Sequence, residues 1–213
     1  METDMTQNGI TRPKSDGKRE LIVNAALQVM ITEGVFGATT RKIATAAGVN
    51  VASLHYHFHD KEEILLRVMS GLVSSYRQIL AQQFSQPQKL HDRIEGLIRF
   101  VHSEVEKAPG EQLVLQEMTL YVLRHPQAAH LAAEKDAEFL ALYVEPLRSA
   151  TDVGPEDEAR VTAIANFIYT SIVGIFNQWL ATGDTDRMRR SIDNLVLAAQ
   201  GLARDGLGTG SVG

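Results

Sequence analysis

The stretch TTRKIATAAGVNVASLHYHFHDKEEIL, Thr39 to Leu65, spells two short helices separated by a glycine turn and followed at once by the start of a third. Thr39 is placed to cap a helix whose inner side carries Ile43, Ala44 and Ala47, and Gly48 supplies the positive φ for a tight reversal. Asn50 is placed to cap the next helix, and Leu54 and Phe58, four residues apart, give that helix one apolar side. Its other side carries Val51, Ala52, Ser53, His55, Tyr56 and His57, groups suited to base edges, thymine methyls and phosphates. A helix this short buries too little to exist for packing alone. Asp60 and Glu63 form a capping-box pattern that starts the third helix, where Lys61 is expected to meet a phosphate. The pattern is that of a DNA-binding helix-turn-helix.

The run Thr40, Arg41, Ile43, Ala44, Ala47, Gly48, Val49, Leu54, Tyr56, Phe58, Lys61, Glu62 resembles the TetR family of bacterial transcriptional regulators, over roughly residues 18 to 66. Ala52 stands where that family often has glycine and His55 where it often has tyrosine; both lie on the reading helix, so an operator sequence does not transfer. The resemblance implies an all-α fold, with a three-helix DNA-binding domain followed by a larger helical domain for ligand binding and dimerisation. The expected organisation is a flexible arm over 1–17, the DNA-binding domain over 18–66, the helical domain over 67–205 and a disordered tail over 206–213.

Composition sets further bounds. With 213 residues, 44% of them hydrophobic, the chain can bury a full core. It contains no cysteine, which excludes a disulfide frame, a thiolate metal site and a cysteine nucleophile. The polar N-terminus lacks the apolar core of a signal peptide, so a cytoplasmic location is expected. The net charge is −5, but up to His59 six Lys or Arg stand against five Asp or Glu, and the acidity falls on the remainder. Lys14, Lys18, Arg19, Arg41 and Lys42 read as phosphate contacts beside the helix-turn-helix pattern. The expected DNA-binding set is Lys18, Thr39, Thr40, Arg41, Asn50, Val51, Ala52, Ser53, His55, Tyr56, His57 and Lys61.

Upstream, Leu21, Ala25 and Val29 with Ile22, Ala26 and Met30 predict an amphipathic helix ending at Gly34, which hands Phe36 to the small core. Downstream, helical period predicts helices near 61–84, 89–107, 111–124, 127–149, 156–181 and 186–204. Val161 to Ala181 holds no charged residue, a length that raises a transmembrane reading. Asn166, Asn177 and Gln178 would be costly in lipid, so a helix buried on every side is the expectation and no membrane partner is assigned. The last helix offers Ile192, Leu195, Val196, Ala199 and Leu202 as a second apolar stripe, and the last two helices are expected to form a homodimer interface. A two-fold dimer implies a palindromic double-stranded operator. By the resemblance, the helix from Lys61 acts as a lever between the head and the large domain.

Polar or aromatic groups set among apolar ones on the interior helices are the candidate contacts for a small-molecule effector: Tyr76, His102, Gln116, Glu117, Tyr121, Phe139, Tyr143, Asn166, Tyr169, Thr170 and Asn177. For each, ordinary core packing or local hydrogen bonding is the competing reading. His55, His57 and His59 alternate along the chain and point in different directions, so no metal site is expected, and no cofactor is implied. No nucleophile elbow, phosphate loop or HExxH motif is present, which argues against an enzyme. The expectation is a transcriptional repressor released from its operator by a ligand. An activator, a corepressor-dependent regulator, and a helical ligand-binding protein with a vestigial DNA head remain alternatives.

Overall fold

The computed structural model describes residues 14–124 and 129–205, with side chains from 17 to 124 and from 133 to 204. The expected tail, most of the expected arm and the break at His125 and Pro126 lie outside them. The chain divides into two compact units, Met1–Val68 and Met69–Gly213. Among the described residues every regular element is helical: α1 Lys14–Gly37, α2 Thr40–Ala46, α3 Val51–His57, α4 Lys61–Gln83, α5 Leu90–Lys107, α6 Pro109–Leu123, α7 Ala129–Arg148, α8 Glu158–Thr182 and α9 Thr185–Asp205, with a single 3-10 turn at Pro155–Asp157 before α8.

In the first unit α1 kinks at Gly34 (φ 76°), and the chain runs on as a short helical turn to Gly37. The kink turns Val35 into the core, fully buried with Ile22, Ala26 and Ala38, while Phe36 is left 53% exposed. Phe36 therefore does not supply the core as its sequence context suggested; Val35 does. Leu21 is likewise exposed, because the buried stripe of α1 follows Ile22, Ala26, Val29 and Met30.

The turn between α2 and α3 is a Schellman motif. The amide of Gly48 donates to the Thr45 carbonyl at 3.1 Å and that of Val49 to the Ala44 carbonyl at 3.0 Å, with Gly48 at φ 64°. A Cβ at Gly48 would meet nothing within 4 Å, so the demand for glycine is one of backbone conformation and not of space. Gly48→Ala is expected to destabilise this unit by roughly 1 kcal/mol, read as a lower urea midpoint at unchanged slope.

In the second unit α8 packs against α7 and α9, and α5 against α9 and α7. Pro155–Thr182 passes the length and hydropathy criteria for crossing a membrane, as does Gly17–Gly37. In this fold α8 buries one face, with Val161, Ile164, Ala165, Ile168, Ile172 and Phe176, and leaves Asn166, Thr170, Val173, Gly174 and Gln178 exposed, so within the chain it is not buried on every side as expected. One end of the unit is tied by long-range polar contacts. The amide of Leu90 at the start of α5 donates to Asp152 Oδ1 at 2.7 Å, and that of Thr151 to the Gln88 carbonyl at 2.9 Å. Beside them Arg93, 3% exposed, donates to the carbonyls of Pro146, Phe84 and Gln86 and to Ser149 Oγ, at 2.9–3.2 Å.

Candidate functional site

Local capping builds the first unit. Thr39 Oγ1 accepts from the Lys42 amide at 3.3 Å and Asn50 Oδ1 from the Ser53 amide at 2.7 Å, which fixes the starts of α2 and α3. At α4, Asp60 Oδ1 accepts from the Glu63 amide at 2.8 Å, and Glu63 answers by accepting from the amide of His59, one residue before the cap, at 2.9 Å. Arg19 reaches across to Glu63 at 2.7 Å and lies over the Phe58 ring at 4.7 Å, locking α1 onto the base of α3.

With Leu54 and Phe58 buried beneath it, α3 leaves Val51, Ala52, His55 and Tyr56 facing solvent, with Ser53 half-buried. Tyr56 is 83% exposed, more than the other exposed large hydrophobic side chains of the described residues. Thr39, Arg41 and Asn50 are exposed along the same short segment, Thr40 is half-buried, and Lys18 is exposed on α1. His57 departs from the outward position expected of it: it is 9% exposed, because three residues on from Leu54 it shares the inner side of α3, and its ring meets the edge of Tyr56 at 5.1 Å. Lys61 is half-buried and its ammonium donates to the Val35 carbonyl at 2.5 Å, so it ties α4 to the end of α1. Burial pushes its pKa down, against an opposing pull from Glu62.

The second unit contains a cavity of about 350 Å³ among α4 to α8. Of the residues singled out for an effector, Tyr76, Gln116, Phe139, Tyr143, Tyr169 and Asn177 line it. His102, Glu117, Tyr121, Asn166 and Thr170 do not. Asn166 and Thr170 lie on the exposed side of α8, and the Thr170 hydroxyl donates to its own helix at the Asn166 carbonyl. His102 faces Glu106 at 3.7 Å, Tyr121 is buried in packing and Glu117 is half-buried away from the cavity.

The walls are mainly apolar, with Leu97, Phe100, Leu115, Leu142, Ile172 and Phe176 beside the aromatics already named. Tyr143 lies against Tyr169 at 5.3 Å, and Phe139 stacks on Tyr169 at 6.5 Å. Polar groups are few. Gln112 donates to the Tyr76 hydroxyl at 3.2 Å, which donates to Glu111 at 3.3 Å; burial first and Glu111 second push the phenol up to about 12. Tyr169 is pushed up to about 12 by burial and by Asp136, to which it is hydrogen-bonded, and burial raises Tyr143 as well. A cavity of this size, with apolar walls and a few convergent polar groups, has the character of a small-molecule site.

The sequence reading missed Lys135, Thr119, Gln112, Glu104 and Asp136, which also line this space. For Lys135 a signal existed: it precedes Phe139 by four and Leu142 by seven residues, so a lysine occupies the apolar stripe of α7.

Residues 22–68 match the family model described as bacterial regulatory proteins, tetR family. The chain is 25% identical over 175 residues to the HTH-type transcriptional repressor BepR of Brucella suis biovar 1, covering 80% of this chain and 84% of BepR. It is 26% identical over 147 residues to the HTH-type transcriptional regulator BetI of Rhizobium meliloti, covering 67% and 68% of the two chains. Its fold resembles that of the transcriptional regulator FadR from Bacillus subtilis, solved in complex with stearoyl-CoA, with a TM-score of 0.65 at 16% identity over 88% of this chain and 98% of that one.

Proposed function

Since the chain belongs to the TetR family of bacterial DNA-binding transcriptional regulators, we propose that it acts in the cytoplasm as a homodimeric repressor that leaves a palindromic operator when a small molecule enters the cavity of its second unit. The observation that carries this reading is the division of labour within the chain. A capped seven-residue helix, α3, projects Tyr56 and His55 outward from the first unit, and an apolar-walled cavity sits inside the second.

In this reading Tyr56, His55, Ser53, Val51 and Ala52 meet bases and the DNA backbone, while Thr40, Arg41, Lys18 and the helix starts at Thr39 and Asn50 hold phosphates. One such helix makes few base contacts. A two-fold dimer engages two half-sites about 34 Å apart, and symmetry makes the operator palindromic. The faces of α8 and α9 that the second unit leaves exposed, with Thr170, Val173 and Gly174 on one and Leu197, 65% exposed, on the other, support pairing of the last two helices with those of a second copy. Coupling is assigned to α4, which begins at Lys61 in the head and carries the cavity residues Tyr76 and Leu80 further along. A ligand that favours one placement of α4 then favours one spacing of the heads. No chemical step is assigned to the chain.

Fluorescence anisotropy of the full chain on labelled duplexes tiled across the DNA flanking its own gene tests the reading. The expected result is tight binding to one palindromic duplex that weakens steeply with added salt. Weak binding equal on every duplex would overturn it.

A further inference from the structure

The cavity holds one buried charge without a counter-charge. Lys135 is 7% exposed and lines the cavity. Its ammonium donates to Thr119 Oγ1, a hydroxyl that itself donates to the Leu115 carbonyl, and it lies 5.0 Å from the centre of the Phe139 ring. An ammonium carries three N–H donors, and a hydroxyl and a ring face do not satisfy them all. Among the described residues it forms no ion pair.

Two carboxylates line the same space, but both are committed. Glu104 is paired with Lys107 at 2.6 Å. Asp136 is exposed, takes the hydrogen bond of Tyr169, and acts on Lys135 only through space. The unanswered charge of the cavity is therefore positive. Burying a cation in this way costs stability unless something compensates it. Burial accordingly lowers the pKa of Lys135, with Asp136 opposing.

We infer that the cavity selects an amphipathic organic anion, its carboxylate seated against the Lys135 ammonium and its apolar body among Phe100, Phe139, Tyr143 and Phe176. This rests on the reading of the cavity as the effector site. A carboxylate there supplies both the missing counter-charge and the missing acceptors, in a charge-assisted hydrogen bond stronger than a neutral one. A cationic ligand would meet Lys135 as a like charge, and a neutral ligand would bring at most an acceptor and no counter-charge.

Calorimetric titration of the full chain with decanoate, decanamide and decylamine tests this. Decanoate is expected to bind at least roughly tenfold more tightly than the other two. Lys135→Met is expected to weaken decanoate by roughly ten- to a hundredfold and to leave decanamide within about twofold. The same variant is expected to melt at a higher temperature than the wild type without ligand, since an incompletely satisfied cation is replaced by a thioether of similar length. Decanamide or decylamine binding as tightly as decanoate overturns the inference and leaves the effector cavity in place. A preference for decanoate that survives in Lys135→Met overturns it too. No binding by any of the three overturns both readings together.

Discussion

Arg93→Ala is expected to lower the stability of the second unit by roughly 3–5 kcal/mol, a loss larger than most single substitutions cause. The guanidinium sits where two helices end. It donates to the carbonyls of Phe84 and Gln86, just past the end of α4, and to Pro146 and Ser149 at the end of α7. Helix C-termini present unsatisfied carbonyls and a partial negative charge, so a cation shared between two of them is compensated by dipoles where, among the described residues, no carboxylate pairs with it. The ring of Phe84, 5.6 Å from the guanidinium carbon, covers it from one side. Alanine leaves the buried Phe84 carbonyl without this donor and the Pro146 carbonyl with only the Ser149 hydroxyl, and it opens a void beside Phe84. Arg93→Lys keeps the charge but has a single point of donation where the planar fork spans both helix ends, so it is expected to recover less than half of the loss. Urea unfolding of both variants, followed by the fluorescence of the single Trp179 in the second unit, measures it. A change within about 1 kcal/mol for Arg93→Ala would show that the clamp is dispensable.

This clamp also marks where sequence reasoning stops. The caps at Thr39, Asn50 and Asp60 were legible because a cap joins residues three apart, and that spacing is written in the chain. The N-terminus of α5 has no such local cap. Lys89 stands at that position, and the bond is supplied by Asp152, 62 residues away, which no periodicity reveals. Arg93 reads in the sequence as one more charged residue on an amphipathic helix, and only the meeting of two helix ends makes it a core residue. The same limit applies to the cavity. Polar and aromatic residues stand out in the sequence of α8, but a helix with few charges has no marked outer side in sequence. Nothing there separates Tyr169, which lines the cavity, from Thr170, which faces solvent. On α1, Gly34 reads in the sequence as a helix end. It turns the chain without ending helical structure, and that turn decides between Val35 and Phe36 for the core.

Tyr56→Ala is expected to reduce operator affinity by roughly 30-fold to about 25,000-fold, with thermal stability unchanged. The magnitude follows from about 1–3 kcal/mol for one base or backbone contact, counted twice because the proposed dimer carries the substitution in both heads. Stability is spared because the side chain is 83% exposed and α3 is held by Leu54 and Phe58 from beneath. The neighbouring His57→Ala is the control with the opposite signature. Its imidazole is 9% exposed, so its loss is expected to lower the melting temperature of the head, with any loss of DNA affinity tracking the unfolded fraction. Lys61→Ala makes a poorer probe of phosphate contact, since removing its ammonium also frees the Val35 carbonyl that α4 is anchored to. Anisotropy on the operator and thermal melts of the same two variants decide between the roles. Operator binding by Tyr56→Ala within about threefold of wild type would remove α3 from the reading surface, since even one weak contact per head predicts more. Loss of binding at full stability in His57→Ala would mean that α3 presents a different face to DNA than the one its packing leaves open.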